Sequence, residues 1–238
     1  MADPALAVPL ATFRLCTRYF RYEVDGFDVL ADSPSSLIVA YHGGPWTVDL
    51  WMLAARMHDE LGYFPRAFWH RIWWTFPGLR EAVTELGGLP GRPSAAEVRA
   101  IKARGEHLVV APGGTREGLR PVWNRHRVDF GGRRGYLRLA AAHDLPIIPV
   151  ASSGLDETFL GLSRGHALPG FGGAELPLWL AIGVGGIWPF ALPFPMKVRQ
   201  RIGSPIRLGP LDGDAALEEA HRRVTAALQA MLDDLRGR

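Results

Sequence analysis

The chain has 238 residues, room for one full-sized domain with its own core and short for two. Hydrophobic residues make up 47% and charged residues 21%, which excludes a disordered or acidic-tail protein; the single cysteine, Cys16, excludes a disulfide framework or a cysteine-rich zinc site. The net charge of +3 rests on arginine, because Lys102 and Lys197 are the two lysines; arginine grips phosphate or carboxylate with a two-pronged fork. Residues 1–12 lack the basic start of a secretory signal.

In chain order, Ala11 to Tyr22 mixes aromatics with arginines and predicts an amphipathic opening helix. Phe27 to Leu30 predicts a short strand. Leu37 to Tyr41 (LIVAY) is an apolar run stopped by His42-Gly43-Gly44-Pro45. A helix follows, with Pro45 at its first position and Leu50, Leu53, Met57 and Leu61 on one face. Phe64, Phe68, Trp69, Ile72, Trp73 and Phe76 recur at helical spacing among Arg66, His70, Arg71 and Arg80, the mixture of an interfacial helix near anionic lipid. Leu108 to Ala111 is a second strand that runs into Pro112-Gly113-Gly114-Thr115-Arg116-Glu117. Gly135 to His143 predicts a helix, Pro146 to Ala151 a third strand and Val198 to Ile202 a fourth. Asp214 to Leu235 is a terminal helix with Leu217, Ala220, Val224, Leu228, Met231 and Leu235 on its face. Strands alternating with helices predict an α/β domain with a mainly parallel sheet. Pro177 to Met196 carries no charge, but its four prolines and three glycines argue for a buried strand plus a membrane-touching loop rather than a spanning helix. The organisation reads as an N-terminal helical, membrane-contact segment over residues 1–34 and one domain over 35–238.

Three constellations can carry chemistry. His42 ends an apolar strand, where α/β sheets commonly place their sites, and Asp49 falls in the first turn of the next helix. Such a pair can act as a general base and the carboxylate that orients it; the alternative is a helix-start aspartate beside an incidental histidine. The second is PGGTRE, whose glycines let backbone N–H groups approach an anion. From Arg116 to Arg138 seven arginines face two acidic residues, a local excess of +5 in a chain of +3. The third, Gly161-Leu162-Ser163-Arg164-Gly165, fits the nucleophile-elbow pattern, with Asp212 or Asp214 and then His221 in hydrolase order. It lacks a clear strand before it, and His221 sits inside the predicted terminal helix. Aromatics with arginines also suit single-stranded nucleic acid, but no nucleic-acid-binding motif accompanies them.

Taken together, His42 with Asp49, PGGTRE, Ile148-Pro149-Val150 and Gly203-Ser204-Pro205-Ile206 resemble the glycerolipid acyltransferase superfamily, in order, over residues 35 to 210. The resemblance implies a mainly parallel sheet flanked by helices, with His42 as catalytic base and Asp49 as its partner. It implies that Gly113, Gly114, Thr115, Arg116 and Glu117 bind substrate. The reaction implied is transfer of a fatty acyl group from acyl-CoA or another acyl thioester to a lipid alcohol. It uses neither metal nor cofactor, acyl-CoA being a co-substrate, and takes place at the cytoplasmic face of a membrane with no nucleic-acid partner. Two departures stand out. Six residues lie between His42 and Asp49 where the family commonly has four, and Gly113 stands where phosphate-accepting members usually carry glutamate, which points to neutral or bulky alcohols. A hydrolase using Ser163 and a non-enzymatic lipid-binding module are the competing readings.

Overall fold

The run LIVAY forms the centre of the molecule because all five of its side chains are buried, as expected of a parallel strand covered on both faces. A computed structural model describes residues 4–44, 47–69, 74, 78–89, 91, 93–163, 168–169, 175–176, 178–189 and 191–237. In chain order its elements are α1 (Pro4–Tyr19), β1 (Glu23–Asp25), α2 (Asp28–Asp32), β2 (Leu37–Tyr41), α3 (Val48–Leu61), β3 (Arg66–Phe68), α4 (Leu79–Glu85) and β4 (Gly88–Leu89). Next come α5 (Ala95–Ala103), β5 (Leu108–Val110), α6 (Thr115–Gly118), α7 (Gly135–Ala142), β6 (Ile147–Ser153), β7 (Phe159–Gly161), β8 (Leu168–Pro169) and β9 (Glu175–Leu176). The chain ends with β10 (Trp179–Val184), β11 (Gly186–Trp188), β12 (Leu192–Pro193), β13 (Arg199–Ile202) and α8 (Gly213–Arg236).

Among the described residues the main sheet has seven strands in the order β1-β13-β6-β2-β5-β3-β4. Its neighbours pair in parallel except β13 with β6, which is antiparallel. The domain is therefore α/β, with a mainly parallel sheet flanked by helices. Alternation along β2 divides the core. Leu37, Val39 and Tyr41 join the layer formed with α5, α7 and α8, whereas Ile38 and Ala40 pack with Leu30, Leu53 and Met57 of α2 and α3. The buried stripe of α8 is Leu217, Ala220, Val224, Leu228, Leu232 and Leu235. Each full-sized aliphatic side chain in it stabilises the fold by roughly 1.5–3 kcal/mol through burial. On the other side α1 rests on α3, where Phe13 stacks on Trp51 with ring centroids 4.9 Å apart.

Three local expectations fail for identifiable reasons. Phe27 to Leu30 contributes to a helical turn, not a strand: Leu30 N–H donates to Phe27 C=O, and the two side chains, three residues apart, enter the same core layer. The helical spacing that begins at Phe64 gives way to β3, because Arg66 and Ala67 pair with β5 on one side and Ala67 and Phe68 with β4 on the other. His70, Arg71, Ile72, Trp73 and Phe76 lie outside the described residues, as do Pro45 and Trp46. The uncharged stretch from Pro177 does contain a strand, but not a buried one. β10 is flanked by β11 and β12 and also pairs with β7 in a small antiparallel sheet. Val184, Ile187, Trp188, Leu192 and Phe194 of this sheet and its turns are exposed. No helix among the described residues is long and apolar enough to cross a membrane.

Candidate active site

Strands β6, β2 and β5 are adjacent and parallel, so the segments leaving their C-terminal ends emerge side by side. From β2 comes His42, from β5 the PGGTRE loop and α6, and from β6 a 3-10 turn over Asp156–Thr158. The imidazole is turned toward the PGGTRE loop. It lies beside Gly118 and the backbone of Gly44 and Gly114, and only 3% of the residue is exposed. Its Nδ1 makes no hydrogen bond. Burial lowers the His42 pKa to about 4; the charge of Asp156 and the backbone of Gly44 and Gly114 act in the opposite direction. The ring is therefore neutral at pH 7 and able to accept a proton.

Asp49 is fully buried in the first turn of α3. Its Oδ2 accepts the Gly43 N–H at 3.2 Å across the Gly-Gly corner, and its Oδ1 has no hydrogen-bond partner. Burial raises its pKa to about 7 against the Ser152 hydroxyl and the N–H groups of Gly43 and Leu50. Asp49 thus fixes the corner that follows His42, and no hydrogen bond joins the carboxylate to the ring.

The PGGTRE residues divide by exposure. Thr115 and Arg116 are exposed, and Arg116 Nε donates to Asp129 Oδ2 at 2.9 Å. Glu117 is buried, with its Oε1 accepting the Asp129 N–H at 3.3 Å and its Oε2 unpartnered. Burial, reinforced by the charges of Asp156, Asp129 and Asp49, raises its pKa well above the ordinary glutamate value. The reason for glycine at 113 is visible here, since a Cβ at that position would fall 2.1 Å from Glu117 Cγ. The Glu117 carboxyl occupies the space into which a side chain at 113 would point. Gly114 has φ +52, and the Arg133 guanidinium ties the loop down by donating to the carbonyls of Pro112 (3.0 Å) and Gly113 (2.6 Å).

The arginine excess is largely committed to internal partners. Arg116 pairs with Asp129, Arg134 with Glu218, and Arg125 donates to the Phe159 carbonyl. Arg120 is buried and donates to both carboxylate oxygens of Asp156, at 2.7 and 2.8 Å. Sequence reading missed this cluster. Tyr41 O–H donates to Asp156 at 2.6 Å, Arg120 donates to the Tyr41 hydroxyl and, at 2.8 Å, to the His42 carbonyl, and His126 Nδ1 lies 3.3 Å from Asp156. The available signal was Asp156 just beyond the end of a core strand, since Arg120 reads as one more member of a basic run.

The hydrolase candidates Ser163 and His221 each have other partners. Ser163 Oγ accepts the Leu178 N–H at 2.9 Å, and the His221 ring, on α8, is 3.1 Å from the Tyr136 hydroxyl. A short strand, β7, does precede Ser163, contrary to expectation, because β10 pairs with it. Arg164 and Gly165 lie outside the described residues, and Asp212 and Asp214 are exposed.

No family model matches the chain. A human protein described as "DGAT1/2-independent enzyme synthesizing storage lipids" is 29% identical over 215 residues, covering 89% of this chain and 61% of that protein. A chicken protein of the same description is 30% identical over 214 residues, covering 89% and 59%. An uncharacterised protein of Mycobacterium tuberculosis is 27% identical over 212 residues, covering 86% and 57%. The chain therefore spans about three fifths of the length of the curated relatives it matches. The crystal structure of the 1-acyl-sn-glycerophosphate (LPA) acyltransferase PlsC from Thermotoga maritima superposes with a TM-score of 0.57 at 18% identity, covering 100% of this chain and 85% of that one.

Proposed function

We propose that this chain, which belongs by fold with the glycerolipid acyltransferases, is itself a lipid O-acyltransferase with His42 as its general base. The observation that carries the reading is the meeting of a neutral imidazole with the PGGTRE loop beyond the ends of three adjacent parallel strands. In the reaction His42 takes the proton of the acceptor hydroxyl while the oxygen attacks the thioester carbonyl of acyl-CoA. The tetrahedral intermediate then collapses with cleavage of the carbon–sulfur bond, and the departing thiolate takes the proton back from His42. No acyl-enzyme and no cofactor enter this sequence.

An uncharged lipid alcohol is the acceptor that fits the electrostatics. The carboxyl groups of Asp49, Glu117 and Asp156 are all buried near His42, and the buried Arg120 is already matched by Asp156. A phosphate carried beside the reacting hydroxyl would find, among the described residues, no unmatched buried cation there to offset its desolvation. The exposed Arg116, whose pairing with Asp129 is open to exchange, suits the phosphates of the acyl donor. The exposed apolar residues of the β10–β11 hairpin favour action at a bilayer surface.

The test is free-thiol release from acyl-CoA by purified protein, with and without a panel of lipid alcohols. Acceptor-dependent release that falls by about 100-fold or more in His42→Ala supports the assignment. Undiminished transfer by a folded His42→Ala protein refutes the role of His42. Acceptor-independent release with labelling of Ser163 by a fluorophosphonate supports a hydrolase, and vesicle binding with no thiol release supports a binding module.

A further inference from the structure

We propose that Asp156 is the carboxylate that positions His42, acting through Arg120 and Tyr41, while Asp49 serves the turn. This rests on His42 being the base. Arg120 spans the two groups: one guanidinium nitrogen donates to both oxygens of Asp156, and the other donates to the His42 carbonyl at 2.8 Å. Its guanidinium carbon lies 4.2 Å from the centre of the Tyr41 ring, and Tyr41 O–H returns to Asp156 at 2.6 Å. The residue before the imidazole and the carbonyl of the imidazole residue itself are thereby tied to one carboxylate. Asp156 also lines the space beside the residue after the imidazole, where a Cβ added to Gly43 would fall 3.3 Å from Asp156 Oδ1.

Such a cluster is poorly explained by stability alone. Buried ion pairs lose about as much in desolvation as they gain in attraction, and apolar replacements are often as stable. What the cluster does is fix the backbone at and before the imidazole, whose Nδ1 makes no hydrogen bond of its own, while Asp49 fixes the corner after it. It also supplies charge of the useful sign. Burial works against ionisation of Asp156, but Arg120 and His126 hold its pKa below the ordinary aspartate value, whereas Asp49 and Glu117 are pushed up. Of these three buried carboxyl groups, Asp156 is the one whose partners favour the ionised form.

The test uses full-length protein labelled with ¹⁵N-histidine, so that the His42 ring is titrated by NMR alongside acyl-transfer kinetics. The charged group acting on the ring is Asp156, and the titratable groups packed around that pair are Asp49 from α3, Glu117 from α6, and Arg120 and His126 from the loop beyond α6. Asp156→Asn is expected to lower kcat by about 10-fold or more, to change either KM by less than about 3-fold, and to move the ring titration to lower pH. Tyr41→Phe, which leaves no charge unpaired, should move kcat in the same direction by a smaller factor. The double variant Arg120→Met/Asp156→Leu removes both charges together and guards against loss of fold; it should melt cooperatively yet stay impaired in kcat. A folded double variant with the wild-type kcat overturns the proposal. So does a ring titration that moves in Asp49→Asn and stays fixed in Asp156→Asn. Undiminished transfer by His42→Ala would instead sink the assignment of the base, and the NMR titration would still report whether Asp156 governs the ring.

Discussion

The His42 ring lies directly against Gly118: a Cβ at position 118 would come within 2.9 Å of His42 Cε1 and 3.2 Å of the Gly44 carbonyl oxygen. Gly118 is outside the positive-φ glycines, so its backbone accepts alanine and the added methyl acts through contact alone. Gly118→Ala should therefore displace the imidazole. A shift of about 1 Å costs on the order of 100-fold in rate, whereas overpacking at one methyl costs roughly 1–3 kcal/mol in stability. Parallel measurement of kcat and melting temperature checks this. Full activity in Gly118→Ala would mean that the ring position is irrelevant to turnover.

Two buried groups give stability opposite pH dependences. His42 titrates at about 4 when folded and near 6.5 when free. Its contribution is fully present above 6.5 and is lost as pH falls toward 4, because the unfolded chain then binds the proton more readily. Asp49 titrates at about 7 when folded and near 3.8 when free, so its contribution is present below 3.8 and is lost as pH rises through 7. His42→Asn removes only the first trend. Relative to wild type, its melting temperature should rise as pH is lowered from 7.5 to 5. A constant difference between the two proteins over that interval would contradict a depressed His42 pKa.

The parts legible in the sequence are those set by local pattern. LIVAY, the strands at 108 and 146, and the stripes of α3 and α8 show their burial in spacing alone. The loop at 112 and the histidine at the end of β2 are legible because each follows an apolar run. What was not legible depends on contacts between distant segments. Arg120 and Asp156 are 36 residues apart and Tyr41 and Asp156 are 115 apart, and nothing in the residues flanking Asp156 names these partners. The strand β3 was hidden in the same way, its backbone bonds supplied by β4 and β5 against a helical spacing of aromatics.

Arg116 and Arg133 both border the PGGTRE loop but should fail differently. Arg116 is 54% exposed and its pair with Asp129 is open to salt, so Arg116→Ala should cost less than about 1 kcal/mol of stability. If it grips the donor's phosphates, the KM for acyl-CoA rises while kcat changes little. Arg133 holds the carbonyls of Pro112 and Gly113, and Arg133→Ala should loosen the loop and lower kcat. Steady-state kinetics in both substrates separate the two; identical kinetic defects would show that neither arginine has a distinct role.

The β10–β11 hairpin offers the last prediction. Ile187 is 61% exposed at its turn, and Trp188 beside it is 45% exposed, so neither contributes a full side chain to the core. Substituting Ile187 with aspartate should leave the melting temperature within a few degrees of wild type. Moving an isoleucine side chain from water into an apolar phase is worth about 1.5–3 kcal/mol, and a carboxylate strongly opposes that transfer. Ile187→Asp should therefore weaken binding to phospholipid vesicles by about 10-fold or more in a flotation assay. It should also reduce transfer to vesicle-borne acceptors more than transfer to the same alcohols dispersed in detergent. Equal flotation of the variant and the wild type would remove the hairpin from the membrane contact, and leave the chemistry at His42 to be judged on its own.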